Sequence, residues 1–351
     1  MMPSGLSPLN ELGTRVKYMI EDNNVEKLYF TSGPTFESRQ ILRFGDRYSE
    51  YRKAFEAASR LELETDFPLY IMIEQSYNCN LKCKGCVLAY GDIVKKYSPN
   101  KVMNEELFDK ILAEAQENAL CSVSMHSVSE PLLVKNLPER VAKAKDAGIM
   151  DIILSTNGLL LTKEKAKALI DSGITHFLFS IDAATEETYA KIREPGGFEK
   201  VKTAIGYVRE VKGDSATPIT RASFVINALN EHEKDLFVTT FKDLVDYIDI
   251  QPFDIVEGRS EELIPSNCTR LEPEDVACNL PFTRVIVRAN GDVLPCCGWY
   301  SNEMVMGNIY DSTIKDIWNS DNMKKLREES RTRSYTSPIC KKCIRSKVKF
   351  D

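Results

Sequence analysis

Histidine is scarce in this 351-residue chain: His126, His176 and His232 are its three, and they are scattered. Positive charge is not in excess either. Lys and Arg number 46 against 52 Asp and Glu, a net charge of −6, so no basic field is available to hold a nucleic-acid backbone. No apolar run approaches the ~18 residues of a membrane helix. The opening Met1-Met-Pro-Ser-Gly-Leu-Ser has neither a positive n-region nor an apolar h-region, so neither a signal peptide nor a membrane span is expected. These absences predict a cytoplasmic protein with no nucleic-acid and no membrane partner.

What is abundant is cysteine, with ten residues. A chain that is not exported keeps its thiols reduced, so this number argues for metal ligation rather than disulfides. Three of them lie within eight residues: Cys79, Cys83 and Cys86, in the pattern C-x3-C-x2-C, just after an apolar run. Three thiolates this close do not complete a tetrahedral zinc site, and the next cysteine, Cys121, is far along the chain. They suit a [4Fe–4S] cluster that keeps one iron open for an external ligand.

Charged, helically spaced residues fill the first part of the chain. Ile41, Leu42, Tyr48, Tyr51, Phe55, Ala58 and Leu61 recur at helical intervals and predict a helical N-terminal extension over 1–68. From residue 69 the pattern alternates. Strands are expected at 69–74, 121–126, 151–155, 176–181, 220–226 and 247–251. Helices are expected at 104–118 (capped by Asn104), 137–147, 162–172, from 185, 197–211 and 231–245. Six βα units imply a parallel sheet with right-handed crossovers. They are too few for a closed eight-stranded barrel, so the α/β core at 69–256 is read as a partial (β/α)6 TIM-like barrel. A polar linker at 257–277 leads to a small module at 278–351, with little helix and a hairpin. There Asn290-Gly291 between apolar runs signals a two-residue turn.

The cysteine loop after the first strand resembles the radical S-adenosylmethionine (radical SAM) superfamily, and the resemblance covers about residues 69–254. It implies that SAM chelates the open iron and is cleaved to a 5′-deoxyadenosyl radical, which takes a hydrogen atom from the substrate. It also implies cofactor-binding roles for Glu130, Ser155, Asn157, Ser180 and Arg193. Glu130-Pro131 matches the family's Gly-Gly-Glu-Pro, with Val128 and Ser129 in place of the glycines. Ser155-Thr-Asn157-Gly and Ser180-Ile-Asp182 match its polar strand ends. Arg193 has the guanidinium suited to the SAM carboxylate. The family's aromatic before the third cysteine is Gly85 here, so the adenine contact must come from elsewhere.

The later cysteines, with Pro281-Phe282, Asn290-Gly-Asp292, Gly307-Asn-Ile309 and Ile317-Trp-Asn319 between them, resemble the SPASM/twitch extension of that superfamily. The resemblance implies one auxiliary [4Fe–4S] cluster held by Cys278, Cys296, Cys340 and Cys343, with Cys297 as the alternative to Cys296. A structural zinc ribbon, and with it a zinc-stabilised binding module, is the competing reading of four such thiols.

Single-cluster relatives of this kind include dehydrogenases and epimerases of aminocyclitols and sugars, and enzymes that epimerise or cross-link ribosomally made peptides. The short cysteine set and the absence of a winged-helix pattern near the start favour a carbohydrate-like small molecule over a peptide. An external electron donor such as flavodoxin or ferredoxin is implied as well. For epimerisation a thiol must return a hydrogen, and Cys268 and Cys297 are the candidates. His126, Glu74 and Asp254 are candidates for proton transfer because they fall at expected strand ends. Cys121 begins its strand and falls at the opposite end.

Overall fold

The computed structural model describes residues 18–21, 25–29, 36–97 and 102–350. Its strands are β1 (Tyr18–Glu21), β2 (Val25–Tyr29), β3 (Tyr70–Glu74), β4 (Ser122–Ser124), β5 (Asp151–Thr156), β6 (His176–Ser180), β7 (Ile219–Val225), β8 (Tyr247–Gln251), β9 (Cys268–Arg270), β10 (Arg284–Arg288), β11 (Asp292–Leu294), β12 (Gly307–Asn308) and β13 (Val348–Phe350). β3 to β8 are parallel neighbours in chain order, each return made through helical segments. This is the expected partial barrel. No helix among the described residues is long and apolar enough to cross a membrane.

The period-two alternation of a strand sorts its side chains between two environments. One set packs outward under the helices as a single core: Ile71, Ile73, Val123, Ile152, Leu154, Phe177, Phe179, Ala222, Phe224, Ile248 and Ile250. The alternate set is largely polar and turns into the barrel: Glu74, Ser122, Ser124, Ser155, Ser180, Ser223 and Asp249. A polar interior is a poor stability device but a suitable lining for a site. The helix Glu105–Glu117 shows how the outer layer is fixed. Its stripe Leu107, Phe108, Ile111, Leu112 and Ala115 is buried, and the Asn104 side chain accepts the Leu107 N–H at 2.8 Å, satisfying one orphan donor of the first turn.

The N-terminal extension is helical over Phe36–Phe44 and Asp46–Ser59. It closes the amino end of the barrel: Tyr48 donates to Asp151 at 3.2 Å and Gln40 at 3.0 Å. The helical extension is preceded by β1 and β2, an antiparallel hairpin that adds to the edge of β8. Helical spacing read from Ser38 onward carries no information about that edge. The remainder of residues 1–35 lies outside the described residues.

The C-terminal module departs from expectation in two ways. It is substantially helical, with helices at Ile314–Trp318, Asp321–Thr332 and Pro338–Arg345. It is also continuous with the barrel, because β10 pairs in parallel with β3 and the sheet runs on through β11 and β12. The expected hairpin is present. However, Val287 pairs with Val293, which leaves Ala289-Asn290-Gly291 as a three-residue loop with Gly291 at φ 87°. That is the alternative hairpin geometry, with glycine in the left-handed position.

Candidate active site

At the carboxyl ends of the barrel strands lies a cavity of about 330 Å³. Its walls include Cys79, Cys83 and Cys86 from the loop after β3. They also include His126 and Glu130 from beyond β4, Ser155 and Asn157 from β5 and its loop, Ser180 and Asp182 from β6, Arg193, and Phe253 and Asp254 from beyond β8. The first cysteine triad and all five expected cofactor-binding residues therefore meet at one place.

Hydrogen-bond donors converge on the triad sulfurs. The Cys79 Sγ receives the Leu81 N–H at 3.4 Å and the Asn157 Nδ2 at 3.9 Å, and Cys83 Sγ lies 3.8 Å from an Arg193 nitrogen. Such contacts favour thiolate. Burial opposes it and raises all three thiols, Cys86 to about 12. Three half-buried thiols on one wall are stable as thiolates only beside a cationic partner, which is the donor set of an iron–sulfur site.

Glu130 is 2 % exposed. Burial raises its carboxyl, while hydrogen bonds from the Thr156 hydroxyl at 2.7 Å, the Asn157 N–H at 2.8 Å and the Leu132 N–H at 3.1 Å pull it back. Its orientation is thus fixed by the β5 end. Glu74 explains how Val128 and Ser129 replace two glycines. Its buried carboxylate accepts the Val128 N–H at 2.5 Å and the Ser129 hydroxyl, and so clamps the loop ahead of Glu130. Burial raises Glu74 from 4.5 to about 7. Glu74 is absent from the cavity wall, which corrects its expected role as a substrate base.

Arg193 is committed to Asp182, with Nε 3.1 Å from Oδ2, and Asp182 accepts the Val225 N–H at 2.8 Å. The peptide groups flanking Arg193 also hold the cysteine loop: Lys84 N–H donates to Ile192 at 2.8 Å and Lys82 N–H to Glu194 at 3.3 Å. The Ser155 and Ser180 hydroxyls are 3.3 Å apart. His126 lines the cavity as a neutral ring, lowered to about 4 by burial and by Arg221. Its Nδ1 accepts the Ser155 N–H at 3.3 Å, which places the ring proton on Nε2.

Sequence reasoning missed Phe253. A Cβ placed on Gly85 would meet the Phe253 ring at 2.8 Å, so the aromatic missing before Cys86 is supplied across the cavity wall from beyond β8. The pairing joins residues 168 positions apart and has no local signal.

Other candidates fall elsewhere. The Cys268 thiol donates to the Pro265 carbonyl at 3.1 Å and packs with Phe253, Leu263 and Val348. Cys297 lies 4.0 Å from an Arg284 nitrogen. Neither lines the cavity, so the two expected hydrogen donors are corrected. Cys121 packs with Tyr48, Tyr51 and Met150 at the amino end, as expected. Asp254 reaches the cavity, but Lys347 Nζ holds both its oxygens at 3.0 and 2.9 Å.

Two cysteines of the second set flank a gap that only glycine leaves open. A Cβ on Gly298 would stand 2.9 Å from Cys343 Sγ and 3.7 Å from Cys296 Sγ. Burial, and then the negative charge of neighbouring thiols, pushes Cys340 up to about 11 and Cys296 well above its usual value. Ser337 caps the helix bearing Cys340 and Cys343 by accepting the Cys340 N–H at 3.4 Å. Among the described residues, no three ligating side chains gather around one ion-sized point.

Comparison with known proteins agrees with this geometry. Residues 73–238 match the radical SAM superfamily and residues 278–344 match SPASM, an iron–sulfur cluster-binding domain. The chain is 25% identical over 289 residues to the S-adenosyl-L-methionine-dependent 2-deoxy-scyllo-inosamine dehydrogenase of Niallia circulans, spanning 78% of this chain and 93% of that protein. The crystal structure of BtrN in complex with AdoMet and 2-DOIA resembles it with a TM-score of 0.55 at 20% identity, covering 80% of this chain and 93% of that one. Streptococcus suis SuiB bound to precursor peptide SuiA does so with a TM-score of 0.60 at 16% identity, covering 93% and 79%. The radical SAM match and the iron–sulfur cluster-binding match set aside the zinc-stabilised binding module. The chain is a radical SAM enzyme that uses S-adenosylmethionine and a [4Fe–4S] cluster, with a C-terminal SPASM-type iron–sulfur domain.

Proposed function

We propose that this enzyme is a dehydrogenase of a hydroxyl-bearing carbon in an aminocyclitol- or sugar-type small molecule. The observation that carries the reading is the cavity in which the Cys79–Cys83–Cys86 wall faces Glu130, Asn157 and Ser180, with no further thiol on it. All ten cysteines are among the described residues, and only the triad lines this cavity. An epimerase must return a hydrogen to the substrate, and no cysteine is placed to do so; net oxidation needs no such donor. The similarity to the inosamine dehydrogenase supports the same reading.

In this reading Cys79, Cys83 and Cys86 hold the catalytic cluster, and Cys278, Cys296, Cys340 and Cys343 the auxiliary one. The Gly298 gap touches Cys296 rather than Cys297, which favours Cys296 as ligand. Bound together, the first cluster and SAM supply a 5′-deoxyadenosyl radical. The chain's residues orient that chemistry. Glu130 receives the SAM amino group, Phe253 flanks the adenine, and Ser155, Asn157 and Ser180 line the rest. Arg193 fixes Asp182 and the cysteine loop, and meets the SAM carboxylate with its remaining donors. His126 offers Nε2–H to the substrate. A flavodoxin or ferredoxin supplies the initiating electron, in the reducing cytoplasm where such thiols persist.

The test is anaerobic reconstitution. The enzyme should carry about eight irons, the sum of two four-iron clusters, and cleave SAM when reduced. With 2-deoxy-scyllo-inosamine or related polyols it should form a ketone together with 5′-deoxyadenosine. Turnover of only a leader-bearing peptide, with none on any polyol, would overturn the small-molecule reading.

A further inference from the structure

The contact between Asp254 and Lys347 joins the two cysteine sites. Asp254 leaves the end of β8 and lines the cavity. Lys347 follows the helix Pro338–Arg345, which carries Cys340 and Cys343. The two residues are bound by side chain and by backbone. Lys347 Nζ reaches both Asp254 oxygens, and their main chains form an isolated antiparallel bridge. The next link leads to the sulfur site: Ile255 N–H donates to the Ser346 carbonyl at 2.7 Å, and the Ser346 hydroxyl donates to the Cys343 carbonyl at 2.7 Å.

The ammonium is therefore held between the cavity wall and the second cysteine set. The Lys347 backbone N–H also donates to the Ile344 carbonyl at 3.0 Å, one residue beyond Cys343. A cation and an anion, locked together, thus sit beside the helix that carries that cysteine.

We propose that Lys347 is a positioning residue that stabilises the reduced auxiliary cluster by its fixed charge, and that Asp254 is the counter-ion through which occupation of the cavity is felt at that cluster. A reduced cluster carries one more negative charge than an oxidised one. A neighbouring cation favours reduction, and an anion disfavours it. The proposal rests on the auxiliary-cluster assignment but not on the identity of the substrate.

The experiment is an EPR-monitored redox titration of the reconstituted full chain carrying C79A/C83A/C86A, which isolates the auxiliary cluster. Added to that background, Lys347→Met should weaken reduction about tenfold, a midpoint about 59 mV more negative for one electron. Lys347→Arg should stay within twofold of the parent. Asp254→Asn should move the midpoint the other way, a sign reversal that general loosening of the module does not produce. Unchanged potentials, or Met and Asn variants shifting in the same direction, would overturn the proposal. If Lys347→Met fails to hold iron, Asp254→Asn still decides: an unchanged or more negative midpoint refutes it. A parent that binds no iron refutes the cluster assignment and the proposal together. Failure of the dehydrogenase reading appears only in substrate assays and leaves these potentials intact.

Discussion

Gly298→Ala separates space from backbone strain at the second cysteine set. Gly298 has φ −62° and ψ 133°, open to any residue, so an alanine pays no torsional penalty. It does meet sulfur, 2.9 Å from Cys343 Sγ and 3.7 Å from Cys296 Sγ. Ordinary non-bonded contact is about 3.5–4.0 Å, so the Cys343 sulfur would have to retreat by roughly 0.6–1 Å. Its helix is not free to follow, because Ser346 ties the Cys343 carbonyl and Lys347 ties the chain end to Asp254. Overpacking of this size costs about 1–3 kcal/mol, against a typical total stability of about 5–15 kcal/mol, so the chain still folds. The misplacement falls on the ligand set. Iron should drop from about eight to about four per chain, with SAM cleavage retained. Iron and sulfide analysis with EPR reads this directly. A variant that keeps full iron and the parent signals would show that Cys296 and Cys343 do not share a cluster across this gap.

Cys296→Ala should likewise lose about half the iron, whereas Cys297→Ala should keep it; the reverse outcome reassigns the ligand. Phe253→Ala should weaken SAM binding at least several-fold by calorimetry while leaving iron content unchanged, and unaltered affinity would remove Phe253 from the adenine site. Glu130→Gln should cut SAM cleavage more than tenfold, because a neutral amide cannot match a carboxylate against an ammonium; parental rates would exclude that contact. Glu74 makes a pH prediction. Its folded value, about 7 against 4.5, means the folded state holds a proton that the unfolded state has released between those values. Stability is therefore lost as pH rises from about 4.5 through 7, by on the order of 3 kcal/mol. Chemical denaturation at pH 5 and pH 8 should show Glu74→Gln flattening that loss, and an identical pH dependence in both proteins would refute it.

The parts of the site legible in the sequence are those written locally. The triad spacing, the β-branched strands, the Asn104 cap and the polar residues closing β5 and β6 each occupy a short window, and the structure brings the triad and the polar strand ends to one cavity. The missed parts depend on distant packing. Phe253 answers Gly85 across the barrel, and Lys347 answers Asp254 from 93 residues away. Its place at a strand end makes Glu74 a candidate base by sequence. Its real environment, the amides of the loop beyond β4, is set by strand pairing rather than by neighbours in sequence. The C-terminal helices are short, between five and twelve residues, which leaves few turns over which a helical period can be read.

The pairing of β3 with β10 bears on how the enzyme is made. β3 launches the first cysteine loop, yet one of its two edges is covered by residues 284–288, some 210 positions later. At a synthesis rate of about 5–20 residues per second, that edge stays unpaired for roughly 10–40 s. An open strand edge is an aggregation hazard throughout that interval. The loop meant to receive the first iron is fully supported only after residue 288 has emerged. A chain cut between 254 and 278 would present the first cysteine set beside an open strand edge.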